Sequence, residues 1–197
     1  GNVSNTYGTA TTYGVTSAKY LATDGTTIVD LSGSVTPTGN AISISDGAGG
    51  TASFTLAPVG AQTTSTGGYL KAGAWSLGAS NVTATSSNFS NTITVVGNHA
   101  VEKKSLTPSV SGVSKTYDGT TAMTGVSVGP TGAITNDLVT VSGTGNFSQA
   151  NAGSNLAYTL SNLALAGADA GNYQLSGGGI YSGIDGVINQ ANATVTA

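Results

Sequence analysis

Asn5-Thr6-Tyr7-Gly8-Thr9 and Lys115-Thr116-Tyr117-Asp118-Gly119-Thr120-Thr121 are two spellings of one turn, and their tyrosines stand 110 positions apart. Each copy is followed by an Ala-Gly pair, then an Asn-aromatic pair, then a further strand-like run. In the first copy these are Ala72-Gly73, Asn88-Phe89 and the stretch from Val101 to Thr107. In the second they are Ala152-Gly153, Asn172-Tyr173 and the stretch from Val187 to Ala193. An internal repeat constrains the fold more than composition does, because each copy closes its own core and meets only its neighbours. The alignment sets Val101 against Val187 and gives the first copy about 30 additional residues, around 18–67. The expected organisation is a longer module over residues 1–105, a second module over 106–192, and the start of a following module at 193–197.

The rest of the sequence says what such modules are made of. Alternation of apolar and polar residues is clear at Ala41 to Ser45, Ala52 to Leu56, Asn91 to Val95 and Leu138 to Val141, the mark of strands with one buried face. Between these runs stand Asp24-Gly25, Asp46-Gly47, Gly67-Gly68, Asp118-Gly119, Gly177-Gly178-Gly179 and Asp185-Gly186, pairs that supply the backbone angles of tight turns. The best helical candidate, Leu160 to Ala170, is broken by Ser161-Asn162 and Gly167, so no long helix is expected, only a short helical turn near Gly167 to Gly171. The expected fold is all-β: two tandem Ig-like antiparallel β-sandwich modules joined near residues 104–108. A β-helix is the alternative, although a repeat of this length far exceeds the roughly 20–30 residues of a single coil.

Composition excludes several partners. Charged residues are 7% of the 197, the five cations are all lysine, and the net charge is −3, so nothing resembles a nucleic-acid or anionic-membrane footprint. No apolar run reaches the roughly 18 residues that cross a bilayer. Cysteine is absent, which removes disulfides, thiolate nucleophiles and thiolate metal sites.

Catalytic constellations are equally thin. The single histidine, His99, has no G-x-S-x-G elbow to serve, and the single glutamate, Glu102, has no obvious acid partner for glycoside hydrolysis. The aspartates are scattered and mostly precede glycine, where a carboxylate bonds its own turn. Asp118 is expected to accept from the amides of Thr120 or Thr121, with Gly119 in the left-handed region. Calcium needs six to eight converging oxygens, and no D-x-D-x-D loop supplies them, so no cofactor is expected and Ca²⁺ stays an alternative. Tyr7, Tyr117 and Trp75 read as core or module-joint residues. An intramolecular isopeptide bond at Lys103 or Lys115 is a further alternative that needs a buried lysine, an amide and an acid in contact. Five N-x-S/T sequons, beginning at Asn2, Asn81, Asn88, Asn146 and Asn192, are about what this Ser- and Thr-rich composition yields by chance.

The second copy resembles the YDG repeat of bacterial surface adhesins. The likeness is carried by Lys115 to Thr121, Gly143-Thr144-Gly145-Asn146-Phe147, Asn151-Ala152-Gly153, and Leu165 to Leu175 with Asn172-Tyr173. The first copy resembles the related "mostly bacterial Ig-like" (MBG) repeat through Tyr7-Gly8, Ala72-Gly73-Ala74-Trp75 and Asn88-Phe89. The resemblance implies a secreted protein held at the bacterial outer surface, of the two-partner-secretion, filamentous-haemagglutinin type. There such modules form a stalk or adhesive stretch for attachment to cells or in biofilm. It implies no catalytic, cofactor or metal residues. The motif residues Tyr7, Gly8, Trp75, Asn88, Phe89, Tyr117, Asp118, Gly119, Asn172 and Tyr173 are structural on this reading, and no ligand-binding residue is assigned. The expected partners are neighbouring modules, with a polysaccharide or host glycan as the alternative, and the chain by itself is expected to be a monomer. On that alternative, an exposed aromatic groove is expected in the extra segment, from Ala18 to Gly67.

Overall fold

The computed structural model describes residues 2–22, 24–61, 63–85, 87–89, 91–123 and 127–196, with Ser127 as backbone. The last expected residue of a following module, Ala197, lies outside the described residues. Among the described residues the protein is all-β, with sixteen strands, three short 3-10 turns and no α-helix. The chain forms two compact units: Gly1–Thr63 with Leu70–Glu102, and Thr64–Tyr69 with Lys103–Ala197.

Unit 1 contains β1 (Asn2–Thr6), β2 (Lys19–Leu21), β3 (Ile28–Asp30), β4 (Val35–Thr38), β5 (Ala41–Ser45), β6 (Thr51–Pro58), β7 (Gly73–Ala84) and β8 (Asn98–Glu102). Six of them form one sheet in the order β1-β8-β7-β6-β5-β4, while β2 and β3 make a separate hairpin. The alternation at 41–45 and 52–56 is realised as β5 and β6, with Ile42, Ala52, Phe54 and Leu56 all buried. Turn chemistry fixes their register. Gly39 takes φ 62° between the paired Thr38 and Ala41, as the first central position of a type II′ hairpin requires. At the other end the Asp46 carboxylate accepts from the amides of Ala48 and Gly50, both at 2.8 Å. Tyr13, Ile42, Phe54, Leu56 and Leu77 form the core, each large side chain contributing about 1.5–3 kcal/mol on burial.

Unit 2 contains β9 (Lys104–Ser111), β10 (Ser114–Thr116), β11 (Ala122–Met123), β12 (Ser127–Thr131), β13 (Thr140–Phe147), β14 (Gly153–Ala166), β15 (Tyr173–Leu175) and β16 (Tyr181–Asn189). They form two sheets, β10-β16-β14-β13-β11 and β12-β9-β15. Val110, Val128 and Leu175 of the smaller sheet pack on Val141, Leu160 and Leu163 of the larger, a sandwich sharing one interior.

Two features depart from the sequence reading. Among the described residues three pairings are parallel: β1 with β8, β10 with β16, and β15 with β9. The other ladders are antiparallel, unlike those of a β-helix. The alternating stretch 91–95 also belongs to no sheet. It runs beside the core, where Ile93 and Val95 pack as partly buried residues. The helical candidate resolves as strand to Ala166, followed by a single 3-10 turn at Ala170–Asn172. The helix-like spacing of Leu160 and Leu163 comes from a bulge: Thr144 pairs with Ser161 and Ser142 with Ala164, so β14 carries an extra residue. Asn162 absorbs it at φ 55°, asparagine being, after glycine, one of the residue types that enter this region. The first copy carries the same device, with Thr55 opposite Ser80, Ser53 opposite Thr83, and Asn81 at φ 53°.

Candidate functional site

The repeated turn is built the same way in both units, from a parallel strand pair upward. In unit 1, Thr6 pairs with Glu102 and the Tyr7 amide donates to the Glu102 carbonyl at 2.8 Å. In unit 2, Thr116 pairs with Asn189 and the Tyr117 amide donates to the Asn189 carbonyl at 2.8 Å. Val101 therefore corresponds to Ile188, one residue from the sequence alignment, and both are buried.

This register puts Asn5 and Lys115 at the same place, and both grip the threonine that follows the turn glycine. The Asn5 amide nitrogen donates to the Thr9 carbonyl at 2.6 Å and its hydroxyl at 3.2 Å. Lys115 Nζ donates to the Thr120 carbonyl at 2.8 Å and its hydroxyl at 3.1 Å. It also reaches the Ala122 carbonyl at 2.9 Å and Asp118 Oδ1 at 2.6 Å. Asp118 in turn accepts from the Thr120 amide at 2.9 Å, and Gly119 sits at φ 79°. The Lys115 ammonium, followed by the amide and hydroxyl of Thr120, holds the Asp118 carboxyl down at about 2. An ionised carboxylate facing an ammonium is an ion pair, and an amide bond would need a neutral amine and an activated acid. Lys103, the other lysine considered for such a bond, is exposed.

The two tyrosines have different fates. Tyr7 is completely buried, whereas Tyr117 is 45% exposed, so of the core and module-joint readings only the second is left to Tyr117. Gly8 follows Tyr7 directly at φ 83°, and the Thr9 amide closes a tight turn on the Thr6 carbonyl at 3.0 Å. Asp118 lengthens the second turn by one residue, and the Lys115 ammonium with its ring of oxygens makes that interior polar. No apolar place is left inside for the Tyr117 ring.

His99 is buried between Tyr13 and Asn5. The Asn5 nitrogen is committed to Thr9, so its Oδ1 faces His99 Nε2 at 2.7 Å and requires a proton there. Nδ1 is then the acceptor for the Tyr13 hydroxyl at 2.8 Å. This fixes the neutral Nε2–H tautomer, and burial lowers the imidazole's pKa. Both ring nitrogens are occupied by structural partners, an arrangement without a nucleophile or an orienting acid.

Asp169 and Tyr173 anchor the second motif. Asp169 is almost wholly buried. Burial pushes its carboxyl up, but the amides of Leu138, at 2.9 Å, and Thr66, at 3.2 Å, more than offset this, and its pKa ends below the usual value. The Tyr173 hydroxyl receives the Ile134 amide at 3.0 Å and donates to Asp137 Oδ2. Asp137 Oδ1 accepts from the Gly67 amide at 2.8 Å. A Cβ on Gly67 would stand 2.6 Å from that oxygen, so glycine is required there. Asn172 is buried beside this group.

Of the remaining motif residues, Trp75 is half-buried, its indole N–H donating to the Lys71 carbonyl at 3.0 Å. Asn88 is exposed and its amide donates to Asp46 Oδ2 at 2.9 Å. Phe89 meets Tyr20 edge-to-face, with ring centroids 6.4 Å apart. No group of three His, Cys, Asp or Glu side chains converges among the described residues.

The Tyr20–Phe89 pair stands at a concavity of unit 1. A cavity of about 460 Å³ lies between residues 18–21 and residues 88–94, over Ile44 and Ala52. A second, of about 250 Å³, lies between residues 14–19 and 93–96, over Ile44, Phe54, Leu56 and Leu77. They share Ala18, Lys19, Ile44, Ile93 and Thr94, and so make one trough. Its rim is apolar and open: Tyr20 is 42%, Leu21 61% and Val96 85% exposed. Lys19 at the rim faces Asp30 at 3.7 Å. Unit 2 has a shallow, mostly polar depression of about 480 Å³ beside Leu163, Tyr173 and Leu175, with no exposed aromatic pair.

Residues 102–180 match the YDG domain. No curated protein and no solved structure matches the chain.

Proposed function

We propose that the chain is a non-catalytic, tension-bearing spacer of a secreted bacterial surface adhesin, held at the outer membrane and projecting a binding region for attachment to cells or in biofilm. The match of residues 102–180 to the YDG domain supports a surface-adhesion or binding module. On this reading residues 1–105 are an MBG-like module, 106–192 the YDG-like module, and 193–197 the start of a following one, with neighbouring modules as the partners.

The observation that carries the spacer reading is a parallel ladder on the last strand of each unit, formed in unit 1 by its first strand and in unit 2 by β10, the strand that follows β9. β1 pairs with β8, and β10 with β16. In a parallel pair the N-terminal end of one strand and the C-terminal end of the other lie at opposite ends of the ladder. Tension applied to unit 1 through Asn2 and Glu102 therefore shears all the bonds of that ladder together, and the same holds for the β10–β16 ladder when it is pulled through Ser114 and Asn189. A hairpin pulled at its two ends would open them one at a time. The Lys115 and Asn5 clamps sit at the end of these ladders and hold the turn that load reaches next. Single-molecule pulling through residues 2 and 102 for unit 1, and through residues 114 and 189 for unit 2, should give a high-force unfolding event in each. Attachment at residues 140 and 166, which peels β13 from β14, should give a low-force event for unit 2. Equal forces in the two geometries would sink the reading.

A second reading, direct binding of a polysaccharide or host glycan, is favoured by the Tyr20–Phe89 pair at an open trough. Sugar rings stack on aromatic faces, and Asn88, Thr92 and Lys19 supply polar groups beside them. Titration with exopolysaccharides and a glycan array tests it, with Tyr20→Ala as the variant that should abolish any signal.

A further inference from the structure

We propose that Asp137, Asp169 and Tyr173 form a recognition site for a glycine turn, and that residues 64–69 occupy it as a ligand carried in the same chain. The site lies within the YDG match at 102–180, and its occupant lies outside it. Residues 64–69 belong to unit 2, while the chain on either side of them belongs to unit 1. The apolar clusters of unit 2 are drawn from residues 110–188. Among the described residues the turn therefore adds nothing to that core, and hydrogen bonds hold it.

The turn shapes itself through its own bonds. The Lys71 amide donates to the Thr63 carbonyl at 3.0 Å, and the Ser65 amide to the Tyr69 carbonyl at 2.8 Å. The Gly68 amide closes on the Ser65 carbonyl at 3.0 Å, with Gly68 at φ 85°. Ser65 Oγ receives the Tyr69 amide at 3.3 Å. Two successive amides at the tip, those of Thr66 and Gly67, point outward instead. Such a pair is a donor for anionic oxygen, and its fixed geometry lowers the entropy lost on docking.

The site meets this pair with two carboxylates, each divided between frame and ligand. Asp137 Oδ2 accepts from the Tyr173 hydroxyl, and Oδ1 from the Gly67 amide at 2.8 Å. Asp169 Oδ2 accepts from the Leu138 amide at 2.9 Å, and the Thr66 amide lies 3.2 Å from Oδ1 and 3.4 Å from Oδ2. Hydrogen bonds to ionised oxygen are stronger than neutral ones. The site also reads residue type. Gly67 lies outside the left-handed region, yet a Cβ there would stand 2.6 Å from Asp137 Oδ1 and 3.1 Å from the Thr135 carbonyl oxygen. That carbonyl is main chain and cannot turn aside, so the site selects glycine on space alone. The partner that fits is a tight turn presenting x-Gly with both amides outward.

In the full chain, the double variant Thr66→Pro, Gly67→Val removes one amide and crowds the other, which empties the site. The end-blocked synthetic peptide spanning Thr63 to Lys71 should then bind it saturably at millimolar concentration, the range of effective concentration for a short tether. Carbon-13 and amide NMR should place the shifts at Ile134 to Leu138 and Asp169 to Tyr173. The same peptide carrying Gly67→Ala should bind at least about tenfold more weakly. The parent chain gives a second measurement that needs no variant to fold. There the glycine peptide should compete with the tethered turn: hydrogen exchange at the Thr66 and Gly67 amides should accelerate with its concentration while β13 and β14 stay protected. The alanine peptide should leave that exchange unchanged. No binding by the folded variant, equal binding of the two peptides, or turn amides that exchange only together with β13 and β14 whatever the peptide concentration would each overturn the proposal.

Discussion

Replacing Lys115 with methionine keeps the apolar stem and removes the ammonium that holds the second turn. Nζ is within reach of Asp118 Oδ1, the carbonyls of Thr120 and Ala122, and the Thr120 hydroxyl. The thioether returns none of these contacts. Counting only the two backbone carbonyls, and taking the low end of about 1–3 kcal/mol each because water reaches both residues, the loss is about 2 kcal/mol. The Asp118 carboxylate is about half exposed, and solvent screens its share. At typical slopes this moves the urea midpoint of unit 2 down by about 1 M. A second readout is specific to the ion pair. The Asp118 carboxyl, held at about 2, should titrate closer to 3.8 in the variant, as followed by carbon-13 NMR. Because its pKa is depressed in the folded state, Asp118 contributes stability that is present above 3.8 and lost as pH falls through about 2. The variant should lack that part of the acid profile. A midpoint within about 0.3 M of the parent, or an Asp118 that still titrates at about 2, would refute the clamp.

Other expectations follow from the same geometry. His99 carries a lowered pKa in the folded state, so its contribution is full above the ordinary value of 6.5 and is lost as pH falls through the folded value; His99→Gln should flatten the stability profile in that window, measured by denaturant titration at stepped pH. Asn162→Ala places a Cβ-bearing residue with no polar side chain in the left-handed region and should cost about 1 kcal/mol, while Asn162→Gly should stay near neutral. The matching pair of variants at Asn81 should behave alike, and a difference in sign would argue that the two bulges are not equivalent. Gly67→Ala drives a methyl onto Asp137 Oδ1 and the Thr135 carbonyl and should lower the melting point of unit 2 by calorimetry, with a cost of about 1–3 kcal/mol.

Much of the fold was legible because turns and strands are local. Asp24-Gly25, Asp46-Gly47 and Asp118-Gly119 announce their angles in the residue types, and period-two alternation at 41–45 and 52–56 announces which face is inward. The bulge was misread because one inserted residue turns the period of two into a spacing of three, which from sequence looks like a helix at Leu160 to Leu163. The paired Ser80-Asn81 and Ser161-Asn162 were a usable signal for it. The stretch 91–95 alternates as a strand should, yet ladder formation needs a partner, and a partner is a property of the whole sheet.

Sequence by itself determined that the chain repeats, that it is all-β, where its turns lie, and that Asp118 would bond within its own turn. Each depends on residues a few positions apart, whose chemistry is complete in the chain. The tertiary structure decided the rest: that Asn5 and Lys115 perform the same task, that Tyr7 is buried while Tyr117 is not, that His99 is held neutral between Tyr13 and Asn5, and that an apolar trough opens beside Tyr20 and Phe89. These depend on register between strands about 75–100 residues apart, where a shift of one position reverses every side chain's face.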